Sequence, residues 1–162
     1  MTHGASPLAA IEGSGLGQAM RQWLWLYPAV ETVHLVGIAL LVGSIAVLDL
    51  RLLGFSRSVP VRKLAAHVLP WTLASFGLII PSGFAMFAAH ASDLIGNPVF
   101  GLKIALILAA GANAGLFHAT VYRGAQAWDV DTMPPFAARA AAALSLLLWI
   151  AVIACGRLLA YT

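Results

Sequence analysis

The feature that most constrains this chain is a set of four long apolar stretches, at about 23–50, 64–89, 99–122 and 137–160, with most of the charge confined to the short segments between them. A helix needs about 20 mainly apolar residues to cross the hydrocarbon of a bilayer, and each stretch reaches that length. Only 9% of the 162 residues are charged and 61% are hydrophobic, against about a quarter charged in an ordinary soluble domain. The chain therefore lacks the polar surface to wrap a soluble core. The expected fold is all-α, an integral-membrane up-and-down four-helix bundle in one domain, 1–162, since short connections make sequential helices antiparallel neighbours. The same features exclude a nucleic-acid binder, because the Lys and Arg residues are scattered singly and form no basic patch. A disulfide scaffold is excluded as well, since Cys155 is the single cysteine.

The first span opens through Trp23, Trp25 and Tyr27, side chains that settle at the headgroup level. The second contains Pro70 and Pro81, tolerated in lipid where neighbours satisfy the freed carbonyls. Ahead of them, Leu8, Ile11, Leu16 and Met20 read as a short N-terminal interfacial helix or as a tail, both within 1–22. The segment has no basic region followed by an apolar run, so it does not read as a signal peptide. Arg51, Arg57, Arg62, Lys63, Arg123 and Arg139 gather at one end of the spans, with Arg21, Lys103 and Arg157 at the other. By the positive-inside rule both termini are expected outside the cytoplasm, in a bacterial inner membrane.

Ionisable groups inside a span are functional candidates by default. Here they are Glu31, His34, Asp49, His67 and His118, with Asn113 beside them as a neutral polar group. Glu31 and His34 are three residues apart and share a helix face. The Glu-x-x-His spacing is used by di-iron bundles, but no other span offers the matching carboxylates such a site requires. The structural alternative for the pair is a hydrogen-bond clasp with Ser82 or Asn113. His67 lies roughly four residues inside the second span and His118 roughly four residues from the end of the third, so at 1.5 Å per residue they fall at one height. Two imidazoles level with each other, beside the small residues Gly111, Ala114 and Gly115, suit a bis-histidine haem b. Arg62, Lys63, Arg123 and Arg139 are placed to pair with its propionates. His34 is deeper and would need its own partner. Asp49 and Arg51 are expected to form an interfacial ion pair or to bind lipid headgroups.

The run Trp25 to Gly43 with Glu31 and His34, then Asp49, Arg51 and Gly54, resembles the opening of an uncharacterised family of small four-helix bacterial inner-membrane proteins. The segments Leu69–Trp71, Asn97–Lys103 and Asn113–His118, and the pair Gly156–Arg157, match the same family. More distantly, His34, the helix-end Arg51 and the third-helix Lys103 are similar to positions in HemJ-type protoporphyrinogen oxidases and CopD-like copper-resistance proteins. The first resemblance implies the fold. The distant ones imply haem b and redox chemistry, or copper handling. His118 departs from the oxidase pattern, lying about one turn further from Lys103.

Together these observations lead to the expectation of a small membrane b-type cytochrome, with haem held by histidines drawn from His34, His67 and His118 and electrons passed within the bilayer to quinone or a redox partner protein. Copper handling by Glu31 and His34 is the rival from another class. The absence of Cys and Met clusters weighs against it, because soft ligands select Cu(I). A non-catalytic helical subunit of a larger complex is the third, and the alanine-rich start of the last span would allow close contact with a partner or a second copy.

Overall fold

The computed structural model describes residues 6–161. Two short helices, α1 (Pro7–Glu12) and α2 (Gly15–Gln22), precede the first long one, α3 (Leu26–Leu52). Then follow α4 (Val61–Ala89), the short α5 (Ala91–Gly96), α6 (Pro98–Ala119), a 3-10 helix over Val121–Trp128 and α7 (Phe136–Leu158). Local chemistry sets several of these boundaries. The Ser6 and Ser14 hydroxyls each accept a backbone N–H in the first turn of α1 and α2, and Asn97 does the same for α6 ahead of Pro98. Pro60 and Pro135 stand at the N-caps of α4 and α7. Pro70 and Pro81 lie inside α4 without ending it.

Helices α3, α4, α6 and α7 are each long and apolar enough to cross a membrane, as the four apolar stretches predicted. Their ends differ from the sequence expectation by a few residues. The largest change is that 121–122 belong to the 3-10 helix rather than to the third span. Large apolar side chains such as Leu73, Ile80, Leu108, Leu116, Leu147 and Ile150 are more than half exposed, as a lipid-facing surface requires. The protein is a multi-pass helical membrane protein.

The four spans form two hairpins. In the first, α3 and α4 pack closely along their length, because Gly37 lets the backbones approach. A Cβ there would lie 2.8 Å from Ile79 Cγ1. In the second, α6 packs on α7. The hairpins meet through α3 and α7, whereas α4 and α6 have no Cα atoms within 8 Å of each other among the described residues. The up-and-down expectation that each span packs on the next thus fails between the second and third. Helix α5 adds about 9 Å of helix, at 1.5 Å per residue, between α4 and α6, and α6 packs on α7 rather than on α4.

Buried residues concentrate at the two ends. At the arginine-rich end, Leu52, Val61, Phe117, Trp128 and Ala138 form one core, into which the 3-10 helix contributes Ala125 and Trp128. At the opposite end α2 lays Met20 against Ala85 and Ala89 of α4. Arg21 ties that end together by donating to the Ala89 and Glu12 carbonyls, at 2.9 and 2.7 Å. The Ser92 backbone N–H donates to Glu12 Oε1 at 2.6 Å, which holds the Glu12 carboxyl below the ordinary carboxylate range.

Candidate functional site

Between the two end cores, the gap separating α4 from α6 opens into a cavity of about 250 Å³. All four spans line it, and α3 and α7 form its floor. The walls are mainly apolar and carry the rings of Phe76, Phe117 and Trp149. Its polar side chains are Ser44 and Asp49 from α3, Thr72 from α4, Asn113 and His118 from α6, and Ser145 from α7. Most of their donors are already committed. The Ser44 and Thr72 hydroxyls lie 2.7 Å apart and bond back to the Leu41 and Val68 carbonyls at 2.9 and 3.1 Å. Asn113 Nδ2 donates to the Ala141 carbonyl at 3.0 Å. Ser145 on α7 stands beside the Asp49 carboxyl.

Asp49 is the group that needs explaining. It is 6% exposed, and its Oδ2 has no hydrogen-bond partner among the described residues. An Asp at the centre of a span costs on the order of 2.5–3.5 kcal/mol on insertion scales, less near an end, and a buried polar atom left unpaired adds to that. The expected ion pair with Arg51 does not form, because two residues apart on a helix point to different sides. Arg51, 2% exposed, turns instead to the connections. Its Nε donates to the Val59 carbonyl at 2.7 Å, and its Nη2 to those of Arg57 and Asp129 at 3.1 and 2.9 Å. Buried in this way it is closed to lipid headgroups, and it serves as the clamp between the α3–α4 connection and the segment leading to α7.

The histidines are not brought together. His118 lines the cavity, its ring edge-on to Phe117 and Tyr122 at 5.2 and 5.0 Å between centroids. His67 is exposed and lies outside the cavity. Equal height on two helices had suggested the pair, but α4 rotates Val68 rather than His67 into the cavity. His34 makes the clasp with Ser82, Nδ1 to Oγ at 2.9 Å. Because the Ser82 hydroxyl donates to the Leu78 carbonyl, the Nδ1–H is the donor to Ser82. Gly83 leaves room for this ring, since a Cβ there would lie 3.1 Å from His34 Cε1.

Glu31 is exposed and does not join the clasp. Lys103 is half-buried, with Nζ 3.5 Å from where a Cβ would stand on Gly156. The side chains of Arg62 and Arg123 are exposed away from the cavity, although the Arg62 backbone N–H donates to Asp129 Oδ1 at 2.8 Å.

These positions do not fit a bis-histidine haem b. One imidazole, His118, faces the cavity, and among the described residues no second lines it. The cavity is also smaller than the roughly 300–1,000 Å³ usual for ligand pockets. No group of three His, Cys, Asp or Glu side chains suited to a metal ion is present among the described residues. Sequence reasoning missed the cleft and Ser145, and assigned Asp49 to the interface. The one signal available was that Asp49 interrupts the apolar run Val47–Leu50.

Fold and site together define a multi-pass helical membrane protein with a mainly apolar cavity among its four spans that carries a few polar side chains. The chain belongs to DUF6644, a family of unknown function whose model matches residues 9–162. This agrees with the resemblance to an uncharacterised family, while the distant likeness to HemJ-type oxidases and CopD-like proteins is not found. No curated protein and no solved structure matches the chain.

Proposed function

We propose that the protein is an intramembrane binding protein whose cleft receives the polar head of a small lipid-soluble molecule, entering sideways between α4 and α6. The observation that carries this reading is Asp49: a carboxyl 6% exposed, with an oxygen that has no partner among the described residues, in the wall of an otherwise mainly apolar cavity. A pocket with a few polar groups among apolar and aromatic walls is the usual form of a small-molecule site. Lateral access suits a ligand dissolved in the bilayer, and the modest volume suits a head group whose tail stays in lipid. The positive-inside rule turns the arginine-rich end toward the cytoplasm of a bacterium and leaves both termini outside. The cleft then lies in the cytoplasmic half of the bilayer.

The test is mass spectrometry of the small molecules that remain with the purified protein, wild type against Gly111→Leu. Gly111 lines the cavity and a Cβ on it meets no heavy atom within 4 Å, so the leucine fills the cleft without a clash at its Cβ. The wild type should retain an apolar small molecule that the variant loses. Identical extracts would refute the proposal, and so would stoichiometric copper or a Soret band showing haem.

A further inference from the structure

Resting on that reading, we infer that the ligand is an organic cation, a primary or secondary ammonium on an apolar body, whose N–H groups bond to Asp49. The argument is an inventory of what the cavity leaves unused. The two hydroxyl protons of Ser44 and Thr72 are taken up between each other and the Leu41 and Val68 carbonyls. Ser145 stands beside Asp49, and the Asn113 amide nitrogen is directed to Ala141. The carboxyl oxygen left without a partner is Asp49 Oδ2, and Asn113 Oδ1, the His118 imidazole and the Trp149 indole N–H also stand in the lining without a hydrogen bond among the described residues. As a carboxylate oxygen, Asp49 Oδ2 is met by a ligand that donates hydrogen bonds. An ammonium supplies two or three donors.

Charge points the same way. No Lys or Arg lines the cavity, and Arg51, the basic group nearest in sequence, sends its Nε and Nη2 to the carbonyls of Val59, Arg57 and Asp129, its Nη1 being buried without a partner among the described residues. Asp49 thus has no countercharge of its own. A ligand cation would provide one, in a low-dielectric setting where pairing relieves both partners. The rings of Phe76, Phe117 and Trp149 on the walls add faces to which a cation is attracted.

The experiment compares 4-phenylbutylamine, protonated at neutral pH, with its neutral counterpart 4-phenylbutanol. Binding is measured by calorimetry to the full chain in phosphatidylcholine nanodiscs, with empty discs subtracted. The amine should bind at least tenfold more tightly than the alcohol. Asp49→Asn should abolish that preference, and Gly111→Leu should weaken both ligands. Equal binding of amine and alcohol, both lost in Gly111→Leu, would overturn the cation assignment and leave the cleft reading standing. Tighter binding of a short-chain quinol than of the amine would also overturn it, in favour of a neutral donor. Binding of neither compound, or binding indifferent to Gly111→Leu, would overturn the cleft reading itself. The comparison of amine with alcohol is made on the wild-type protein, so it decides the question even if Asp49→Asn does not fold.

Discussion

Replacing Arg51 by Met should loosen the arginine-rich end more than any single change in the lipid-facing surface. The guanidinium donates to three carbonyls, on Val59, Arg57 and Asp129, at 2.7, 3.1 and 2.9 Å. It thereby ties the α3–α4 connection to the segment ahead of α7. Hydrogen bonds from a charged donor contribute about 1.5–3 kcal/mol each, but two terms reduce the total. The freed carbonyls belong to connections that water can reach, and removing a buried charge recovers part of its desolvation penalty. The net expectation is a loss of about 3 kcal/mol, which for a chain of this size lowers Tm by about 6–12 °C. Thermal unfolding in detergent micelles reads this directly. Amide exchange across 53–60 should rise with it, because the connection loses its anchor. Arg51→Lys should recover only part of the loss, since an ammonium lacks the planar fork that reaches three separate carbonyls. A Met variant within about 0.5 kcal/mol of wild type, a surface-substitution effect, would refute the clamp.

Two smaller effects follow from the other contacts. The His34–Ser82 bond at 2.9 Å should give a coupling of about 0.6 kcal/mol in a double-mutant cycle of His34→Ala and Ser82→Ala, the size usual between membrane helices; a coupling near zero would mean that the clasp carries no energy. At the opposite end, Glu12 is held below its ordinary range chiefly by the Ser92 backbone N–H. Its stabilising contribution is therefore present above about pH 4.3, the unfolded value, and is lost as pH falls through the lowered folded value. Hydrogen exchange in α1 should accelerate over that acidic window, and Glu12→Gln should remove the pH dependence; an unchanged profile in that variant would rule out the bond as its source.

How much of this was legible in advance depends on the kind of signal. The spans were readable because each is a run of apolar residues long enough to cross a bilayer, and the aromatic group Trp23 to Tyr27 marked the entry to the first. The His34 clasp was among the readings open to the sequence, since Ser82 was a named partner. The His67–His118 pair rested on height alone. Height along a helix follows from residue count, at 1.5 Å per residue, whereas the direction a side chain faces depends on how the helix is rotated, and α4 turns Val68 to the cavity and leaves His67 outside it. Asp49 was misplaced for a related reason: its sequence neighbour Arg51 offered an obvious partner, and only the path of the connections showed that the guanidinium is held elsewhere.

The sequence by itself determined that the chain enters the bilayer, how many times it can cross, and which end gathers the arginines, because each of these depends on composition along a line. The tertiary structure decided which faces meet. In a soluble helix the apolar stripe marks the inward face, but α3 and α6 are apolar around their whole circumference, since lipid accepts the same side chains as a core. Nothing along the line therefore distinguishes a packed α3–α7 seam from the open gap between α4 and α6. That gap, and the carboxyl of Asp49 in its wall, exist only once the two hairpins have been set side by side.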